Sequence, residues 1–158
     1  MANFTVDFTV TIGDIINIIM LALTFIGLAF AAIELSEGKK INRASLVKEL
    51  YLQLYDDDEL RDIFYKIEWS NYSESERLQL QGTEEERKAD KLLSFFEVVC
   101  DMYYRGILTK EDIAIFDYEM RRVYAHPAVQ DYLSFLEEWQ EKQSIGKSYV
   151  SFKKYCGG

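Results

Sequence analysis

The most apolar part of the chain is an unbroken block. From Ile15 to Ile33 the sequence reads IINIIMLALTFIGLAFAAI, without a charge. At 1.5 Å rise per residue, about nineteen residues of helix span roughly 28 Å, close to the hydrocarbon thickness of a bilayer. A cleaved export signal opens with basic residues and has a shorter apolar stretch. Here no Lys or Arg precedes the block, and Glu34 follows it directly. The pattern predicts a transmembrane helix over 12–37, preceded by a short lead at 1–11 in which Phe4, Val6, Phe8 and Val10 alternate with polar residues. A buried helix of a soluble domain is the alternative.

Within the block, Asp14, Asn17, Leu21, Thr24 and Leu28 recur at intervals of three and four, which places them on one helix face. Polar groups on one stripe of a span face other helices or a water-filled path. Gly27 and Ala31 form a small-xxx-small pair that permits close helix approach. One span encloses nothing by itself, so a conducting path requires a ring of identical subunits. On that reading Asn17, Leu21, Thr24 and Leu28 face the pore. The alternative is that one Asn and one Thr are simply tolerated.

Beyond the block the period changes to that of amphipathic helices. Ile41, Leu46, Leu50 and Leu54 fall at helical spacing. The acidic triplet Asp56–Asp58 offers an N-cap for a helix with Leu60, Ile63, Phe64 and Ile67 on one face. Residues 70–82 are polar and interrupted and read as a loop. Thr83 with Glu86 has the form of a capping box opening the longest helix, about 84–105, with a stripe through Leu92, Phe95, Phe96, Val99 and Tyr103 and a C-terminal stop at Gly106. Thr109 with Asp112 opens another helix, through Ile113, Phe116, Met120 and Tyr124. Pro127 fits the first turn of a last one, with Val129, Leu133, Leu136 and Trp139 as its apolar face. The expected architecture is all-α: a transmembrane helix, then a cytoplasmic helical bundle over 38–143, then a C-terminal tail at 144–158 without a clear signal.

Composition narrows the function. With 158 residues, 49% of them hydrophobic and 15% aromatic, the chain has enough material for one core. A formal charge of −9 opposes generic binding to nucleic-acid backbones, so no strong direct nucleic-acid contact is expected. Two cysteines, Cys100 and Cys156, and one histidine form no metal-ligand pattern, and no metal or cofactor is expected. Cys100 lies among apolar residues and reads as a buried, inert thiol in a reducing compartment. Lys39, Lys40 and Arg43 follow the span while only Asp7 and Asp14 precede it, which predicts a cytoplasmic C-terminal part and an outer N-terminus.

The single histidine sits in YEMRRVYAHP, residues 118–127. Arg121 and His126 form an Arg-x4-His pattern, which is similar to the signature of HEPN ribonucleases. There the histidine serves proton transfer or polarises the 2′-hydroxyl, and the arginine stabilises phosphate charge. On a regular helix Arg122 shares the face of His126, whereas Arg121 lies about 140° away. Pro127 disfavours helical dihedrals at His126. Basic side chains in a last turn also complement the helix dipole, a purely structural use. HEPN nucleases favour a small polar residue after the arginine, and this chain has Arg122. Arg121 and His126 are therefore expected to be structural, with ribonuclease activity the lesser alternative.

The span (15–33), the helical bundle (41–143) and RRVYAH (121–126) together resemble the membrane accessory proteins encoded beside the RNA-guided, RNA-cleaving effectors of type VI-B CRISPR systems. The resemblance implies a divergent HEPN-like bundle assembled as a homo-oligomeric pore in a bacterial inner membrane. Such a protein permeabilises or depolarises the lipid bilayer when the RNA-guided nuclease detects phage RNA, and so strengthens antiviral defence. Of the family's motif only Arg121 and His126 carry over. A second-messenger-gated or adaptor membrane protein of bacterial defence shares the anchor and remains the alternative.

Overall fold

The computed structural model describes residues 12–70 and 80–158. The lead at 1–11, residues 71–79 of the expected loop and the side chains of Ile12, Asp14 and Ile18 lie outside the described residues. Every regular element among the described residues is helical. The chain divides into two compact units, Met1–Asn42 and Arg43–Gly158; the sequence reading sets the border a few residues earlier, after residue 37.

Helix α1 runs Ile12–Asp56 and carries that border. The expected span and the expected helix from Ile41 are thus one element of 45 residues, and it, rather than the helix near 84–105, is the longest. The sequence between them holds Gly38 but no proline. A mid-helix glycine costs about 1 kcal/mol relative to alanine, too little to stop a helix that propagates from both sides. In the first unit Leu21, Phe25, Leu28, Phe30 and Leu35 are all exposed. None of the most apolar window of α1 is buried, and by length and composition the helix is sufficient to cross a membrane.

The second unit is built on the last turns of α1 with α2 (Asp58–Ser70), α3 (Glu85–Tyr104), α4 (Lys110–Ile113), α5 (Asp117–Tyr124), α6 (Pro127–Gln143) and α7 (Val150–Gly157). A 3₁₀ turn, Ala114–Phe116, splits the expected helix after Thr109 into α4 and α5. Asp57 caps α2: its carboxylate accepts from the Glu59 and Leu60 amides at 3.0 and 3.2 Å. The predicted stripe Leu60, Ile63, Phe64 and Ile67 is buried. The Thr109–Asp112 capping box forms completely. At the expected Thr83–Glu86 box, α3 begins at Glu85 with Glu84 as its N-cap. The Thr83 hydroxyl donates backwards to the Leu80 carbonyl at 2.7 Å, and Glu86 accepts from the Gly82 amide at 2.8 Å. Gly106 takes φ +73°, the left-handed stop that a side chain would strain.

Helix α7 is the main addition to the sequence reading. Residues 144–158 carry a packed helix whose Phe152 is buried and stacks on Phe96 of α3 at 5.6 Å. Its N-terminal amides are satisfied from a distance: Ser151 and Phe152 donate to the two oxygens of Glu97 on α3, at 3.0 and 2.8 Å. The loop before it is held by Gln140 of α6, which exchanges two bonds with Ser148. On α6 the expected positions Val129 and Leu133 are buried and Leu136 packs against the core. Tyr132 joins them, while Trp139 is exposed.

Candidate functional site

His126 is placed by the break between α5 and α6. Pro127 occupies the first turn of α6, and His126 before it is extended, with φ −72° and ψ 129°, as proline requires of its predecessor. In this conformation its ring turns back over the new helix. Nδ1 accepts from the Ala128 amide at 3.2 Å, so the imidazole is the N-cap of α6. An accepting Nδ1 puts the ring proton on Nε2, which donates to Ser70 Oγ at 2.9 Å. Ser70 passes the chain on, donating to the Ile67 carbonyl at 3.0 Å. Both ring nitrogens therefore serve the join between the end of α2 and the start of α6. Burial, and then the Arg122 charge, hold the imidazole below the ordinary histidine pKa. The neutral form that this cap requires is thus favoured.

Arg121 belongs to a different contact. Its Nε donates to both oxygens of Asp117, at 2.9 and 3.0 Å, one helical turn back. Its guanidinium lies 5.7 Å from the ring centre of Tyr155 on α7. The Tyr155 hydroxyl donates to the same Asp117 at 3.0 Å. Burial, and then that carboxylate, push the phenol above its ordinary pKa. Arg121, Asp117 and Tyr155 thus join α5 to α7, whereas His126 joins α2 to α6. The structure does not bring the two motif residues into one contact. Arg122, which donates to the Glu68 carbonyl at 3.4 Å, is the arginine whose charge His126 feels. Neither Ser70 nor Tyr155 was marked by the sequence reading, because each meets its partner across tens of residues.

Comparison of the chain with protein-family models, with curated proteins and with solved structures returns no match. The chemistry of the site rests on its own geometry.

The cysteines are held as thiols. Cys100 is buried and donates to the Met120 sulfur at 3.5 Å, and burial pushes its pKa up to about 12. Cys156 on α7 is half-buried and is also pushed up to about 12 by burial, with Arg121 opposing. Raised pKa values of this kind keep both in the protonated thiol form at neutral pH. Among the described residues no cluster of His, Cys, Asp and Glu is arranged to hold a metal ion.

On α1, Asn17, Leu21, Thr24 and Leu28 all have exposed side chains. The Thr24 hydroxyl donates to the Met20 carbonyl at 2.8 Å, so its polarity is satisfied inside its own helix. Asn17 is the member of the stripe whose side-chain amide has to be met from outside the helix. Of the basic flank, Arg43 pairs with Asp112 of α4 at 3.0 Å, inside the second unit. Lys39 and Lys40 are exposed and are the flank charges on the apolar unit itself.

Proposed function

We propose that this chain is a single-span membrane protein of bacterial antiviral defence that assembles with copies of itself and permeabilises or depolarises the inner membrane. The observation that carries the reading is the apolar half of α1, whose most apolar window has no buried residue, while the second unit has a closed core of its own. An apolar surface of that extent requires lipid or other apolar helices around it. Lys39 and Lys40 after the span favour a cytoplasmic bundle and an outer N-terminus. The bundle then acts by contact, with a divergent HEPN-like ancestry, and couples the pore to an RNA-guided nuclease as the type VI-B resemblance implies.

The Arg–His pair supports this reading over a membrane-tethered ribonuclease. A general base needs a free lone pair within reach of the substrate proton. Here the one lone pair of His126 accepts the Ala128 amide, and Arg121 is committed to Asp117 and Tyr155. In a ring of spans Asn17 and Thr24 stand one heptad apart as stacked polar positions, with Leu21 and Leu28 as apolar constrictions between and below them. Membrane potential in cells expressing the protein tests the reading. Leu21→Asn should depolarise the membrane without a trigger, while Leu23→Asn, on another face, should mainly reduce insertion. Normal insertion of both variants with no more depolarisation than wild type would leave the span an anchor only. RNA cleavage that disappears with His126→Ala would return the chain to the nucleases.

A further inference from the structure

A groove along α1 is lined by Ala31, Glu34, Leu35, Gly38, Lys39 and Asn42. These positions have a seven-residue order. With Leu35 at heptad position a, Gly38 is d, Lys39 is e, Glu34 is g and Asn42 is the next a. Carried toward the N-terminus, the same frame sets Leu21 and Leu28 at a and Asn17, Thr24 and Ala31 at d. Leucines at 21, 28 and 35 thus repeat every seven residues, and all three side chains are exposed. A straight α-helix drifts by about 20° per heptad against such a repeat, so copies that keep it wind around one another with positions a and d turned toward their common axis, the side on which the proposed pore lies.

The charges select the partner. Glu34 and Lys39 border the groove, one on each side. Five positions apart, they lie about 140° from each other around one helix and cannot pair within it. Among the described residues neither takes an ion-pair partner. In a parallel, in-register pair, position g of one helix faces position e five residues further along the other. Glu34 of one copy then meets Lys39 of the next, and a symmetric pair repeats the contact. An antiparallel pair sets g against g and e against e, which brings like charges together. Copies inserted with one topology are parallel in any case. Gly38 and Ala31 at d let the helices approach closely, and Asn42 at a is the kind of polar seam residue that fixes register.

We propose that residues 31–42 form a parallel, in-register self-association collar whose occupant is a second copy of this chain, with Glu34 of each copy paired to Lys39 of its neighbour. The collar rests on the proposed function only for the common orientation of the copies. Oxidative cross-linking of the full chain in native membranes tests it, in a Cys156→Ser background that removes the less buried native thiol. Seam positions of parallel helices bring Cα atoms to about 6 Å, within disulfide reach. Gly38→Cys and Asn42→Cys should cross-link readily, and Lys40→Cys, on the outer face, far less. An added Cβ at Gly38 meets nothing within 4 Å in the single chain. Should Gly38→Cys insert poorly, Asn42→Cys decides.

Glu34→Lys or Lys39→Glu alone should lower the cross-linked fraction at position 42 several-fold, and the two together should restore it. Equal cross-linking at 40 and 42, no cross-linking at either seam position, or a double reversal no better than the singles would overturn the collar. Membrane potential separates the two proposals. Seam-specific cross-linking without depolarisation sinks the pore and keeps the collar, and depolarisation with indiscriminate cross-linking does the reverse.

Discussion

Leu28 and Leu54 stand on the same helix, yet Leu28 is 63% exposed and Leu54 1%. The residues around Leu54 belong to a unit that closes its own core, in which Leu60, Phe96, Phe116 and Phe152 are all buried in one cluster. Those around Leu28 belong to a unit in which the most apolar window has no buried residue. Burial stabilises by about 25 cal/mol per Å² of apolar surface removed from water, so the second unit holds its driving force within one chain. In the most apolar window of the first unit none of that burial is realised within the chain. What differs is where the partner surface comes from, and for the first unit we propose that it comes from outside the chain.

The strongest way to break this contrast is to cut into the core that the second unit owns. Phe152→Ala removes a fully buried ring that stacks on Phe96 and should cost about 3–5 kcal/mol of bundle stability. Phe30→Ala, the most exposed phenylalanine of α1, should leave the same unfolding transition in place. Denaturant unfolding followed by the near-ultraviolet signal of the bundle measures both. A Phe152→Ala variant as stable as wild type would show that α7 is dispensable to the core.

A smaller effect tests whether His126 is spent on structure. His126→Ala removes the cap of α6 and should cost about 0.5–2 kcal/mol, while His126→Asn, which can still accept from the Ala128 amide, should recover most of it. The pH dependence has a definite sign. The imidazole pKa is depressed on folding, so the unfolded chain binds the proton more readily. Its contribution is fully present above the unfolded histidine value of about 6.5 and is lost as pH falls from there toward the folded value. Wild type should therefore lose stability below about pH 6.5 more steeply than His126→Asn. Parallel stability-against-pH curves for the two would refute the capping role.

How much of this was legible in the sequence follows the range of the interactions. The Asp57 cap, the Thr109–Asp112 box, the Gly106 stop and the Pro127 start all act within a few residues, and each was readable from spacing. The buried stripe of α2 was readable for the same reason. Helix α7 was not, because it is short and its cap comes from Glu97, more than fifty residues earlier in the chain. The split between α4 and α5 was also hidden, since a 3₁₀ turn keeps the apolar order of a regular helix nearly unchanged. At the candidate site, the opposition of Arg121 and His126 was visible in the helical angle between them. Their partners Tyr155 and Ser70 were not, being tertiary neighbours.

We propose above all that the exposed face of α1 is met by a bilayer. Cysteine accessibility in intact cells tests it most directly. Ile19→Cys, Phe25→Cys and Phe30→Cys should resist a membrane-impermeant maleimide both before and after the membrane is permeabilised. Lys142→Cys, whose position on α6 is 75% exposed, should react only after permeabilisation. Ready labelling of the three α1 positions in the aqueous fraction, or labelling of Lys142→Cys from outside intact cells, would contradict the membrane placement or the orientation, respectively.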